Sequence, residues 1–186
     1  MLEKFSSRLL HLSTGLLTLI CMVIFGVFSV LVLPDQAAKA DAYSGEVGSP
    51  DTSLFYTASD LYRFAEAYGQ NGRSAYIRAR ISFDLIFPLV YGAFLVTALS
   101  WLIKRVDLGR QTWGWANLLP VAGVIFDFLE NGAAAVVMAR YPLTTPVLDH
   151  LAGVLTLLKW VFIAASFLML VVVLVFFLWR LIQRKR

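Results

Sequence analysis

The chain has 186 residues, 59% of them hydrophobic, with a mean hydropathy of +0.74 and a formal net charge of +4. Apolar usage in soluble domains is about half, so this composition excludes an ordinary soluble fold and points to a bilayer. The single cysteine, Cys21, excludes an intrachain disulfide and a cysteine-based metal site, and no nucleic-acid motif accompanies the basic balance.

Four apolar runs, over residues 9–33, 81–103, 118–139 and 148–179, reach the roughly 20 residues a helix needs to cross a hydrocarbon core. The predicted fold class is all-α: a polytopic membrane protein forming one four-transmembrane-helix bundle, with residues 34–80 as an extracytoplasmic loop. Lys4 and Arg8 before the first run, and Ala38-Lys39-Ala40 after it, imitate a signal peptide. The uninterrupted stretch 16–33 exceeds the roughly 7 to 15 residues of a signal core, so the run reads as an uncleaved anchor.

The loop divides in two. Residues 34–53 are rich in Ala, Gly, Ser, Pro and Asp without clear periodicity, and are expected to be irregular. Thr57 and Asp60 then form a capping-box pattern that leads into Leu61, Phe64, Ala65 and Tyr68 at helical spacing, predicting a short amphipathic helix over about 58–69. Its apolar face suits the outer leaflet, the mouth of the bundle or plain docking on neighbouring loops. Gly69 and Asn71-Gly72 are expected to end it, with Ser74 capping the next helix.

From Ser74 the chain is expected to run as one helix into the second span, placing Arg73, Arg80, Asp84, Pro88 and Tyr91 along one face. Pro88 cannot donate a backbone hydrogen bond to the carbonyl of Asp84, which predicts a kink beside a carboxylate. Arg80 is one helical turn from Asp84, and an internal ion pair is the plain structural reading of both.

In the third span, Asp127, Glu130 and Asn131 sit at i, i+3 and i+4 and project toward one neighbouring helix. The small residues that follow, Gly132 to Ala135, suit close helix approach. Two carboxylates so near in low dielectric require either a shared proton or a compensating cation. In the fourth span, Asp149, Gly153, Thr156 and Lys159 follow one face, and Lys159 is the natural countercharge. His150 lies beside the start of that stripe, near the outer boundary. No HExxH or comparable spacing indicates a metal, and no cofactor motif is present.

Orientation follows from the cations. The termini and the second loop carry Lys4, Arg8, Lys104, Arg105, Arg110, Arg180, Arg184, Lys185 and Arg186, which places both termini in the cytoplasm and the protein in the cell inner (plasma) membrane. Trp101, Trp113, Trp115 and Trp179 fall at the cytoplasmic ends of spans, as interfacial indoles do. Arg73, Arg78 and Arg80 breach the rule at the outer entrance of the second span.

The segments RISFDLIFPLVYGAF, NLLPVAGVIFDFLEN and LLKW, with the motifs D-x-x-x-P-x-x-Y and D-x-x-E-N, resemble an uncharacterised family of small four-span bacterial integral membrane proteins. The likeness covers the region from the amphipathic helix to Trp160; it implies a bundle and supplies no activity. A looser resemblance, at fold level, is to the emopamil-binding, sterol-isomerase-like bundles, which implies intramembrane carboxylates that move protons on a lipid.

Two functional readings follow. In the first, the protein binds or transforms a lipid or isoprenoid: Asp84, Asp127, Glu130 and Lys159 form an acid/base cluster, while Arg73, Arg78, Arg80, Tyr91, Asn131 and His150 bind the ligand, with the arginines on an anionic headgroup. In the second, the protein is a non-enzymatic accessory or scaffold, its buried charges lock the bundle, and its partner is a membrane complex or a second copy of itself. A proton-coupled transporter ranks last, because four spans supply a water path only by oligomerising.

Overall fold

Ser13 and Thr14 interrupt the N-terminal helical run before the apolar stretch begins. In the computed structural model, which describes residues 1–106 and 113–184, α1 (Leu2–Leu12) is a separate amphipathic helix, and α2 (Gly15–Val27) opens the first long apolar stretch. The Ser13 hydroxyl donates to the Leu9 carbonyl at 2.7 Å, and Thr14 accepts from the Leu17 amide at 3.2 Å, so each short side chain satisfies a helix end. A π turn, Phe28–Val32, carries the chain into α3 (Leu33–Ser44).

This α3 helix corrects the expectation of an irregular 34–53 segment. Pro34 occupies its first turn, where a missing amide costs nothing, and Ala37, Ala38, Ala40 and Ala42 are strong helix formers. Lys39 pairs with Asp35 at 2.7 Å one turn back. Gly45, at φ +56°, ends the helix in a conformation that side chains resist. Only the short 3₁₀ turns Gly45–Val47 and Pro50–Thr52 separate it from the next helix, α4.

The amphipathic helix, α4 (Ala58–Ala67), has its capping box, and Gly69 at φ +58° divides it from α5 (Gly69–Arg80). Here the structure departs from the expected caps: Asn71, Gly72 and Ser74 lie inside α5, and the Ser74 hydroxyl bonds back to the Gln70 carbonyl at 3.0 Å. Nor is the run into the second apolar stretch unbroken, for Ile81 and Ser82 form a tightened turn before α6 (Phe83–Val106). A 3₁₀ turn, Gly114–Leu118, leads into α7 (Leu119–Arg140), and α8 (Leu148–Arg184) closes the chain. No strand occurs among the described residues.

Four helical stretches are long and apolar enough to cross a membrane: Gly15–Ser44, Gly69–Val106, Gly114–Arg140 and Leu148–Gln183. Arg110, Lys185 and Arg186, counted above among the cytoplasmic cations, lie outside the described residues.

The chain divides into two units. One comprises Met1–Gly26, Val90–Gly123 and Val161–Arg186. Its core is Leu10, Leu99, Leu102, Ile103, Val106, Ala116 and Val173, and Phe25 stacks on Phe94 at 5.0 Å. The Ser6 hydroxyl donates to the Gly114 carbonyl at 2.7 Å, and buried Asn117 donates to the Ser6 carbonyl and to Ser100, which fastens α1 to the 3₁₀ turn.

The other unit, Val27–Leu89 and Val124–Trp160, contains α3, α4 and α5 and all four of Asp84, Asp127, Glu130 and Lys159. The apolar face of α4, Leu61, Phe64 and Ala65, is buried with Ala133, Ala134, Val137 and Met138 of α7 and with Ala152 and Leu155 of α8. The structure packs this face of α4 against α7 and α8.

Candidate functional site

The charged residues of this second unit form a ladder of side chains. Glu130, fully buried, accepts from both directions: the Tyr56 hydroxyl reaches Oε1 at 2.9 Å and the Lys159 ammonium reaches Oε2 at 2.9 Å. Lys159 Nζ lies 3.9 Å from Asp127 Oδ1. Asp127 Oδ1 also accepts from Asn131 Nδ2 at 2.9 Å, the i, i+4 contact that the D-x-x-E-N spacing sets up. The Asn131 carboxamide oxygen in turn accepts from Arg80 Nη1 at 2.9 Å. Arg80 Nε sits 3.2 Å from Asp84 Oδ2, and the guanidinium lies over the Tyr76 ring at 4.3 Å.

The helices explain why these groups meet. On α7, Asp127, Glu130 and Asn131 occupy one face; on α8, Lys159 sits nearly three turns after Asp149, on the stripe that faces it. Arg80 ends α5 and Asp84 lies in the first turn of α6, so the turn at Ile81 and Ser82 preserves their one-turn spacing. The sequence reading arranged three acids around Lys159. The structure adds a second cation, for Arg80 is buried and bonded inside the ladder.

Tyr56, which sequence reasoning missed, closes the ladder from the loop side. Residues 53–56 lie against α8: the Trp160 indole donates to the Ser53 carbonyl at 3.1 Å, and Gly153 is packed so closely under the Tyr56 carbonyl that a β-carbon would overlap it. The signal was present. Tyr56 precedes the Thr57 N-cap and Leu61 is the fourth helical residue, which is the hydrophobic-staple spacing; both are buried in one core. A second tyrosine, Tyr62, donates to Asp149 Oδ2 at 3.0 Å and accepts from the Thr145 amide at 2.7 Å, tying α4 to the start of α8.

The remaining site candidates are dispersed. Arg73 donates to the Ala65 carbonyl at 2.8 Å and stacks over Tyr141 at 4.8 Å, so its charge serves the C-terminus of α4. Arg78 and His150 are exposed, and the His150 amide donates to Asp149 Oδ1 at 2.8 Å. Tyr91 is buried and belongs to the other unit. Pro88 lies inside α6, where it withholds an amide from the Asp84 carbonyl. Among the described residues, no group of three or more His, Cys, Asp and Glu side chains is placed to hold a metal ion.

At the Arg80 end, Arg80 and Asn131 join Ile81, Leu85, Phe128, Gly132 and Ala135 in lining an open, largely apolar cleft of about 220 Å³. Arg80 and Asn131 are its polar lining residues. Gly132 was expected to admit a neighbouring helix, but nothing lies within 4 Å of where its β-carbon would be. Ala133 and Ala134 do the close packing instead, both being buried in the core. A glycine inside a helix costs about 0.5–1 kcal/mol relative to alanine, and here no packing neighbour requires it.

Comparison with protein-family models, with curated proteins and with solved structures finds no match.

Proposed function

We propose that this is an integral membrane protein that binds an amphiphile, a lipid or isoprenoid, with its polar end on Arg80 and Asn131 and its apolar body in the adjoining cleft. The observation that carries the reading is Gly132, a helix-interior glycine that faces open space in a largely apolar cleft which Arg80 and Asn131 also line. Immersion in a bilayer is supported by the apolar side chains the first and last stretches expose, among them Leu16, Val30 and Leu31, and Leu168, Val171 and Val175. The cation distribution supports cytoplasmic termini in a plasma membrane.

The deeper part of the ladder serves a different purpose. Both oxygens of Glu130 are engaged, by Tyr56 and Lys159, and the cleft does not reach it. This favours a second reading, in which the Glu130 and Lys159 pair locks the bundle of an accessory protein. Native mass spectrometry of the full chain separates the two. A co-purifying amphiphile that is lost in Gly132→Leu supports the binding reading; a bare spectrum, or adducts that Gly132→Leu leaves unchanged, supports the lock alone. A reporter fused after Arg186 that reads extracytoplasmic inverts the orientation.

A further inference from the structure

We infer that α1 is a docking helix for acidic phospholipid headgroups, lying along the bilayer surface beside the start of α2; this rests on the membrane reading above and not on the cleft. Leu2, Phe5, Leu9 and Leu12, at i, i+3, i+7 and i+10, form one apolar stripe along α1. Leu2, Phe5 and Leu12 are 71%, 43% and 69% exposed, so the stripe faces outward. Lys4 and Arg8, one turn apart and both exposed, run along one edge of it. The other edge is Ser6 and Leu10, both buried: Leu10 in the core, Ser6 through its bond to the Gly114 carbonyl and the one its own carbonyl accepts from Asn117. Packing on one edge and cations on the other fix which way the stripe faces. Glu3, the one acid of the helix, lies beyond the packed edge, away from Lys4 and Arg8.

Position decides what meets this stripe. Ser13, in an extended conformation, ends α1, and Ser13 and Thr14 are the whole link to α2, so the two helix ends stand within about 11 Å of one another. None of α2 is buried although nearly all its residues are apolar, and on the membrane reading hydrocarbon surrounds it. The link therefore holds α1 at the rim of the same bilayer, and a tethered helix needs far less affinity to stay docked than a free one. Trp115, exposed and adjacent to the Gly114 that Ser6 bonds, suits the headgroup level at which α1 then lies. There the leucines and Phe5 dip beneath the headgroups, and Lys4 and Arg8 meet phosphate oxygens. An acidic surface attracts both cations, whereas a zwitterionic one carries no net charge to do so.

The test introduces Leu12→Cys into a Cys21→Ala background and inserts the full-length protein, one copy per disc, into nanodiscs of phosphatidylcholine alone or mixed with phosphatidylglycerol. The rate of reaction with an uncharged, water-soluble maleimide reads the exposure of the new thiol, and Leu2→Cys is a second reporter should the first not fold. Phosphatidylglycerol is expected to slow labelling about tenfold, and Lys4→Gln with Arg8→Gln is expected to abolish the difference. A difference that survives those two substitutions, as one caused only by the altered pH at an acidic surface would, overturns the proposal. So does a rate that is equal in the two lipids, whether fast, as for a helix in water, or slow, as for one seated by apolar contact alone. Slow labelling confined to discs that hold two copies assigns the stripe to a second copy of the chain and overturns the lipid. Failure to enter nanodiscs overturns the membrane reading as well, whereas entry with composition-independent labelling overturns the docking of α1 and leaves that reading standing.

Discussion

The Tyr56 hydroxyl and the Glu130 carboxylate, 74 residues apart in sequence, are joined by a hydrogen bond of 2.9 Å in a site from which Glu130 has no access to solvent. Removing the hydroxyl takes one donor from a fully buried carboxylate and leaves the ring in place. Tyr56→Phe is therefore expected to lower stability by about 1–3 kcal/mol. Unfolding of the detergent-solubilised protein measures this, and an unchanged midpoint would show that the bond contributes nothing.

Glu130 and Lys159 form the tightest ion pair of the ladder, at 2.9 Å, with both side chains buried. Lys159→Met removes the cation from buried Glu130 and should cost about 3–5 kcal/mol, while Glu130→Gln leaves Lys159 beside Asp127 at 3.9 Å and should cost less. The double variant should cost clearly less than the two losses combined, since it removes Glu130 and Lys159 together and leaves only Asp127 short of its more distant cation. Additive losses in the same unfolding measurement would mean that the two side chains act independently.

Gly153 leaves no room for a β-carbon beneath the Tyr56 carbonyl. Gly153→Ala must displace residues 53–56, at an expected cost of about 1–3 kcal/mol for overpacking. Because the Trp160 indole bonds to the Ser53 carbonyl at 3.1 Å, the same variant should alter tryptophan fluorescence and quicken amide exchange around Tyr56. Unaltered exchange would sink the proposed seating of this segment.

Asp60 supplies a pH dependence that lies outside the apolar stretches. The Thr57 amide donates to its carboxylate at 3.0 Å, the Thr57 hydroxyl does so at 2.7 Å, and Arg63 stands at 3.0 Å; together they hold the carboxyl below its ordinary value of 3.8 against a smaller opposing effect of burial. A depressed folded-state value contributes stability that is present above the ordinary value of 3.8 and is lost as pH falls from there through the lower folded-state value. Amide exchange at the start of α4 should quicken below that pH, and Asp60→Asn should show the faster exchange already at neutral pH. An identical pH profile in the variant would exclude the capping box as its cause.

The all-helical class and the four long apolar helices were legible because a bilayer-length apolar run depends on composition alone. The D-x-x-E-N face was legible too, since helical spacing is local. Three features were hidden. The α3 helix escaped notice because alanine propensity leaves no periodic trace. Arg80 was legible as a partner of Asp84 one turn on, but its bond to Asn131 was not, because that bond spans 51 residues. Gly132 read as a helix contact because sequence shows that a side chain is small and does not show whether anything fills the space.

The pairing of Glu130 with Lys159 also bears on how the protein reaches a membrane. The acid lies on α7 and its cation 29 residues later on α8. On the membrane reading, α7 delivered alone would carry Asp127 and Glu130 into hydrocarbon ahead of Lys159, at about 2.5–3.5 kcal/mol for each charge on insertion scales. Delivered together as a hairpin, the two helices bring acid and base in as a pair. The ion pair therefore favours a biogenesis in which α7 waits at the insertion machinery until α8 has been synthesised.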